Sequence, residues 1–490
     1  MKLIISNNAR PGLLYLTTLA LLLFNPLTIF SAEKPNVLFI AIDDLNDWVG
    51  VLDGHPQVQT PNIDRLATRG VNFTNAHCQA PICMPSRASL LTGTYPHRNG
   101  IYMIEQNLHE APLLKNVTTL PSYFKQNGYR ILRSGKIYHR VKEGDADDWD
   151  ESGKRYGWGW MGKLAGPQGV SGLPEPSIFD FGPIPVETAE MNDFKVTDWA
   201  VERINKPATD KPFFLAVGLV TPHLPHFTPE EFYNRYPLDQ VKLPETQPGD
   251  LDDLPPMGQK FTRYFDTTPM SHHNITRYGL WNKAVASYLA TATFTDHCVG
   301  RLLDALENSP HADNTIIVLW SDHGFHVGEK MHWEKRSLWE ESTRVPLIFS
   351  MPGKDQLRNV RSTRPVGLID IYPTLVELCK LPKNKNLQGR SLVPLLNNPN
   401  LAWDHPVLTT HHPGNHAIRS ERWRYISYAN GDEELYDHRY DPNEFRNLAA
   451  DPEYAAVKKR LSTHVPKETV PYAPRLPRQK FTQEFDWFNP

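Results

Sequence analysis

"NVLFIAIDD", Asn36 to Asp44, decides how the chain folds. Asn36 to Ile42 is a short, almost wholly apolar run. A strand buried on both faces reads that way, and such strands belong to parallel sheets covered by helices. Two aspartates follow at its carboxyl end. Runs of the same texture recur at "YRIL" (Tyr129–Leu132), "FFLAVGLV" (Phe213–Val220), "TIIVLW" (Thr315–Trp320) and "VPLIFS" (Val345–Ser350). Helical patterns alternate with them over Val196–Ile204, Leu280–Leu306 and Leu368–Leu381. In "TPNIDRLATRG", Thr60 takes the N-cap and Pro61 the first helical position. Ile63, Leu66 and Ala67 share one face, and Gly70 ends the helix. "SRASLLTG" predicts another short helix, stopped by Gly93. The alternation predicts an α/β fold with a sheet between helices.

The chain has 490 residues and a net charge of −3, with 52 Lys+Arg against 55 Asp+Glu. No basic excess of the kind nucleic-acid binders carry is present, so nucleic acid is not an expected partner. At the N-terminus Lys2 and Arg10 precede an apolar run, Leu13 to Phe30, followed by the small residues Ser31-Ala32. Residues 1–32 read as a signal peptide. Asn25-Pro26 interrupts the run, so no stable membrane insertion is expected, and the protein is expected in the periplasm or outside the cell. Residues 33–394 form the main α/β domain. After Pro394 the texture changes. "HAIRSERWRYISY" (His416–Tyr428) predicts a hairpin and "EELYDHRYDP" a further edge. Residues 395–490 therefore read as a small antiparallel-sheet subdomain with a proline-rich tail from Pro466. Two long Gly/Pro/Trp-rich stretches, Asp145–Pro185 and His226–His273, read as pocket-shaping loops. Four cysteines, Cys78, Cys83, Cys298 and Cys379, are too few for a disulfide framework, although one bridge is possible. Cys298 and Cys379 read as buried thiols.

Each strand run hands over to polar residues at its carboxyl end: Asp43-Asp44 after the first, Lys136 and His139 after "YRIL", His223 after "FFLAVGLV", and Asp322-His323 after "TIIVLW". Open α/β sheets bind ligands at that edge. Three carboxylates converging there would repel one another unless a cation joined them. Asp43, Asp44 and Asp322 therefore point to a hard metal held by oxygens, and irregular carboxylate-rich coordination fits Ca²⁺ better than Mg²⁺. Lys136, His139, His223 and Lys335 are cations suited to an anionic substrate, with Lys335 placed on a loop rather than after a strand.

In "CMPSRASLLTG" (Cys83–Gly93) a cysteine stands at a helix N-terminus, where the dipole lowers a thiol pKa. A hard-metal site is a poor neighbour for a soft thiolate. The stretch resembles the type I sulfatase signature C-x-P-S-R followed by T-G, with Cys83, Pro85, Ser86, Arg87, Thr92 and Gly93 all in place. Asp43-Asp44, "TPNIDRLA", Gly135-Lys136 with His139, "SDHG" (Ser321–Gly324) and "ELYD" (Glu434–Asp437) extend the resemblance over roughly residues 34–450. "GKIYH", "TPH" and "VPLIF" resemble the iduronate-2-sulfatase branch and its bacterial polysaccharide relatives.

This resemblance implies an alkaline-phosphatase-like core with a mixed, mostly parallel sheet and a small C-terminal antiparallel sheet. It also implies a formylglycine at Cys83, made by a maturation enzyme that reads Pro85 and Arg87. Ca²⁺ would be held by Asp43, Asp44, Cys83 after its conversion, Asp322 and His323. Position 323 is often Asn elsewhere in the family. Arg87 would steady the nucleophile. Lys136, His223 and Lys335 would offset sulfuryl charge, His223 or Lys335 would protonate the leaving alcohol, and His139 would serve as a base. The implied substrate is a sulfated carbohydrate: a uronate 2-O-sulfate, an algal oligosaccharide, or something smaller such as an aryl or choline sulfate. Candidate specificity residues are His226, Arg263, His272, His273, His411, His412 and Arg419, with Trp158, Trp160 and Trp333 as candidate stacking platforms. The rivals are a phosphodiesterase or phosphonate monoester hydrolase of the same superfamily, and a non-catalytic glycan binder.

Overall fold

Asn36–Ile42 forms β1, and every residue of it is buried. In the computed structural model, which describes residues 34–140, 148–154, 169–263, 266–354 and 357–475, β1 lies in the middle of an eight-stranded sheet. The other strands, in chain order, are β2 (Val71–Phe73), β3 (Arg130–Gly135), β4 (Glu151–Ser152), β5 (Phe213–Leu219), β6 (Thr315–Ser321), β7 (Leu347–Ser350) and β8 (Val360–Ser362). They lie side by side as β8-β2-β7-β6-β1-β5-β3-β4. Only β7 runs against the rest, since it pairs antiparallel with both β6 and β2 while the other pairings are parallel. The sheet is mixed and mostly parallel, as the resemblance implies.

Alternation along β1 explains why both faces are covered. Leu38, Ile40 and Ile42 enter one apolar core, with Ile63 and Leu66 of α1 (Pro61–Thr68), Ala200 and Ile204 of α3 (Asn192–Ile204), and Leu289 and Leu302 of α4 (Trp281–Glu307). Val37, Phe39 and Ala41 enter the other, with Met84, Leu90 and Leu91 of α2 (Cys83–Thr92) and Leu375 of α5 (Ile371–Leu378). The predicted face of α1 is the buried one. Its N-terminus is capped differently from the sequence expectation. The Thr60 hydroxyl accepts from Gly50 N at 2.8 Å, and Asp296 of α4 takes the N–H groups of Asn62 (3.0 Å) and Ile63 (2.7 Å). A carboxylate on the positive end of the helix is the stronger partner. Gly70 is required by proximity, because a Cβ there would lie 1.9 Å from the Phe349 carbonyl oxygen.

A second, antiparallel sheet follows: β9 (Val407–Thr410), β10 (His416–Arg419), β11 (Trp423–Ser427) and β12 (Glu433–Asp437), paired in that order. The hairpin and the further edge strand are both present. This sheet is tied to the segment before α2, since Thr410 N donates to Gln79 O at 2.9 Å. The tail is tied back to the main domain, with Val470 N and Ala473 N donating to His97 O (3.1 Å) and Gly100 O (2.8 Å). Residues 1–33 and 476–490 lie outside the described residues. Among the described residues, no helix is long and apolar enough to cross a membrane.

Beneath the small sheet, Arg424 is fully buried and ion-paired with Glu340 and Glu444. His438 Nε2 lies 2.9 Å from Glu444, and Arg419 Nε lies 3.1 Å from Glu340. Arg424→Met is expected to cost about 3–5 kcal/mol, because it leaves the two carboxylates sharing too little positive charge in a dry site. Urea unfolding monitored by fluorescence checks this. A loss below about 1 kcal/mol would mean that water or Arg419 compensates.

Candidate active site

Strand register brings the polar ends together. Ile42 pairs with Leu219 on one side and Ser321 on the other, and Gly135 pairs with Gly218. The ladders continue one step past the strands: Asp43 N donates to Leu219 O (3.1 Å), Asp322 N to Ile42 O (3.1 Å) and Lys136 N to Gly218 O (2.9 Å). Asp43, Lys136 and Asp322 therefore emerge at one level from β1, β3 and β6, with β5 between the first two. Gly218 permits the approach, since a Cβ there would lie 2.1 Å from Lys136 O.

α2 approaches this edge with its N-terminus. Ile82 is extended at the N-cap, and Gly93 closes the helix in the left-handed region at φ 67°. Pro85 falls in the first turn, where its missing N–H costs nothing. Cys83 and Arg87 are four residues apart and so share a face. Arg87 is buried. It donates through Nε to Asp322 Oδ2 (2.7 Å), through one terminal nitrogen to Asp43 Oδ1 (3.1 Å), and through the other to the carbonyls of Lys136 (2.6 Å) and Ile137 (3.0 Å). Two of these bonds run to carboxylates clustered with Cys83. Ser86 donates its hydroxyl to Asp322 O.

The remaining predicted residues close around Cys83. Lys136 Nζ pairs with Asp43. Lys335 Nζ lies 2.7 and 2.6 Å from the two Asp44 oxygens and 3.7 Å from Cys83 Sγ. It follows Trp333–Glu334, a two-residue strand paired with His326–Val327. His323 Nε2 lies 3.2 Å from Sγ and 3.3 Å from Asp44 Oδ1, while its Nδ1 is committed to the Gly324 carbonyl at 2.9 Å. His223 likewise spends Nδ1 on the Leu224 carbonyl at 2.7 Å. His139 hydrogen-bonds the Cys83 thiol. Donor atoms of Asp43, Cys83, Asp322 and His323 all lie within 4.8 Å of one another, as do those of Asp43, Asp44, Cys83 and His223.

The electrostatics follow from burying opposite charges together. Burial opposes ionisation of Cys83, but Lys136, Lys335, His323 and His139 outweigh it and hold the thiol well below its usual range. Burial, with the Asp322 charge, pushes Cys78, only five positions away, the opposite way. Burial also disfavours charge on His323, yet Asp322, Cys83 and Asp44 raise it to about 9. Asp43 is held below the usual carboxylate range: Lys136, His223 and Arg87 overcome burial and the Cys83 charge. The site thus sets buried carboxylates against buried cations around one side chain.

Several supporting residues carry no signal in the sequence. Tyr288 of α4 donates to Asp44 O (2.8 Å) and accepts from Asn46 N (2.9 Å), fixing the turn in which Asp44 has φ 61°. Asp193 of α3 accepts from Val220 N, Thr221 N and the Thr221 hydroxyl, anchoring the loop that carries His223. Each lies far along the chain from what it holds.

The specificity candidates separate. Arg419 belongs to the Glu340 ion-pair cluster. Trp333 is buried core against Trp281 and His272. Arg263 and His273 are exposed. His226 is buried against Tyr288 and Phe325. His411 and His412 are buried after β9, and both lie in the field of Arg336, the neighbour of Lys335. Trp158 and Trp160 lie outside the described residues. All four cysteines are free and buried, so no bridge forms among them.

A mostly parallel sheet that delivers carboxylates and cations to a helix-borne cysteine defines the alkaline-phosphatase-like class of ester hydrolases. The chain belongs to the sulfatase family, the sulfuric ester hydrolases: the Sulfatase family model matches residues 35–381. The model for the C-terminal part of N-sulphoglucosamine sulphohydrolase matches residues 328–470. A sulfatase of Formosa agariphila is 39% identical over 452 residues, covering 89% of this chain and 87% of that one. Human iduronate 2-sulfatase is 34% identical over 347 residues, 66% of this chain and 61% of the human protein. Among solved structures, the phosphonate monoester hydrolase of Silicibacter pomeroyi shares the fold with a TM-score of 0.71 at 24% identity, over 88% of this chain and 94% of that one.

Proposed function

We propose that this protein is exported and hydrolyses sulfate monoesters of a uronate-containing sulfated carbohydrate. On this reading Cys83 is converted to formylglycine by a maturation enzyme, and Ca²⁺ is bound by Asp43, Asp44, residue 83, Asp322 and His323. One observation carries the proposal: Cys83 sits in a buried cluster where three carboxylates and Lys136, Lys335 and His323 face each other within hydrogen-bonding reach. The donor set fits a hard cation, being three carboxylates with one imidazole, and Sγ stands where the hydrated aldehyde's oxygens would project. The relative named iduronate 2-sulfatase supports a uronate 2-O-sulfate.

When present, Ca²⁺ and the formylglycine hydrate supply an acidified oxygen nucleophile, and a second hydroxyl to expel sulfate. The chain's own residues do the rest. Lys136 and Lys335 offset charge on the sulfuryl oxygens. His223, with Nδ1 pinned to a carbonyl, presents Nε2 to the leaving alcohol and gives it a proton. His139, against residue 83, takes the proton from the remaining hydroxyl. Arg87 acts as a positioning residue, locking Asp43 and Asp322 in register.

The test is sulfate release, followed by ion chromatography, from protein coexpressed with a formylglycine-generating enzyme and checked for conversion by peptide mass. A 2-O-sulfated uronate disaccharide should be turned over. Turnover of an algal sulfated oligosaccharide alone would keep the chemistry and replace the sugar. With Cys83 converted, cleavage of a phosphonate monoester and of no sulfate ester would overturn the reading.

A further inference from the structure

We propose that the cleft below the C-terminal end of α5 is a second binding site, which holds a sulfated polysaccharide chain outside the hydrolytic centre. The choice of a sulfated glycan rests on the function proposed above. The cleft encloses about 940 Å³. Pro373, Val376, Leu381 and Leu387 give it an apolar floor, and Lys380, Lys383, Lys385 and Arg390 line it with exposed cations. Glu377 is the only acid in its lining. The whole chain is acidic, at −3, so this is a local reversal of charge. Among the described residues no carboxylate forms an ion pair with any of the four. Asp370, the acid nearest in effect to Arg390, spends its oxygens on the backbone N–H groups of Gly367 (2.9 Å) and Arg390 (2.7 Å).

The local backbone points the same way. α5 ends in a Schellman motif: Lys380 N donates to Glu377 O (3.0 Å) and Leu381 N to Val376 O (2.9 Å). Lys380 occupies the left-handed position of that motif at φ 52°, where glycine is favoured. A lysine at that position trades backbone comfort for a cation on the cleft wall. An apolar floor rimmed by unpaired cations matches a glycan chain, whose rings offer apolar faces and whose sulfates offer fixed negative charge.

The cleft is separate from the site around Cys83 yet rigidly linked to it. Gln388 N donates to Gly93 O at 2.9 Å, and Leu387 packs against Gly93, fastening the wall to the far end of α2. Ten residues of helix rising 1.5 Å each place that end about 15 Å from Cys83. A polymer held here gains effective concentration at the hydrolytic site, whereas a disaccharide does not.

The experiment compares wild type, Lys383→Glu/Lys385→Glu and Lys383→Arg/Lys385→Arg by native gel electrophoresis. The gels contain heparan sulfate, chemically desulfated heparan sulfate or duplex DNA, at low and high salt. Sulfated polymer should retard the wild type and the arginine variant. High salt should abolish retardation, and the glutamate variant should bind about tenfold more weakly. KM for polymer should rise by a similar factor in the glutamate variant, with kcat and turnover of a sulfated disaccharide unchanged. Equal retardation of the glutamate variant and wild type, or equal wild-type retardation by desulfated polymer or DNA, overturns the proposal. Retardation is read without turnover, so a protein that releases no sulfate still tests the cleft. A protein that releases sulfate while the glutamate variant binds normally loses only this inference.

Discussion

Cys83→Ala is expected to lower sulfate release by at least about 10⁴-fold while leaving the thermal midpoint within a few degrees of wild type. The activity loss follows from the pocket. Lys136, Lys335, His323 and His139 all converge on the side chain at position 83, and no other described cysteine has this environment. Cys78 and Cys298 are buried beside carboxylates, Asp322 and Asp193, and what opposes burial there is too weak to stop their thiols being pushed up. What remains in the variant is a charged cradle that binds sulfate esters without a nucleophile. Stability is spared because the change removes one sulfur atom, and with it a negative charge beside Asp43 and Asp44. Cys83→Ser provides the sharper control. A serine oxygen can attack sulfur once, but it has no second hydroxyl with which to expel sulfate, so at most a single turnover is expected. Sulfate release and a melting curve on the same preparation decide the matter. Residual activity in Cys83→Ala within tenfold of wild type would remove Cys83 from the mechanism.

Asp43→Asn has the second-largest expected effect, and it acts on both activity and stability. Asp43 accepts from Arg87 and pairs with Lys136, all three being buried. Neutralising the carboxylate leaves two cations sharing Asp322 and Asp44, at a cost of about 3–5 kcal/mol in the metal-free protein. It also removes one of the donors clustered with Cys83. Activity should fall by about 10³-fold or more, as when a preorganised electrostatic group is removed. In wild type, chelator should abolish sulfate release, and added Ca²⁺ should restore it and raise the melting temperature. In Asp43→Asn the Ca²⁺-induced rise should shrink to near zero. Calorimetric melts with chelator and with millimolar Ca²⁺ measure this. An undiminished rise in the variant would place the cation elsewhere.

Much of this architecture was legible along the chain. Parallel strands buried on both faces must be short and apolar, so Asn36–Ile42, Phe213–Leu219 and Thr315–Ser321 stand out. Ligand groups in such sheets gather at carboxyl ends, so Asp43, Lys136, His223 and Asp322 could be picked before any coordinates. The four-residue spacing of Cys83 and Arg87 gives them a common face on any helix. The antiparallel course of β7 was not legible, because an apolar run carries no mark of direction. Nor was the ion pairing of Arg419: a cation looks the same whether it meets a substrate or Glu340.

The sequence by itself determined the α/β class, the strands that carry chemistry and the helix bearing Cys83, and the resemblance carried by Cys83–Gly93 completed ten candidate site residues. These are written in period, in punctuation by glycine and proline, and in residue type, all of which are local. Only the tertiary structure decided what each group touches: that Arg87 grips Asp43 and Asp322, that Tyr288 and Asp193 hold the turns beneath the site, and that Asp296 caps α1. Those contacts join residues as much as 244 positions apart. Their energies depend on distance and burial in space, and neither quantity exists until the chain has folded.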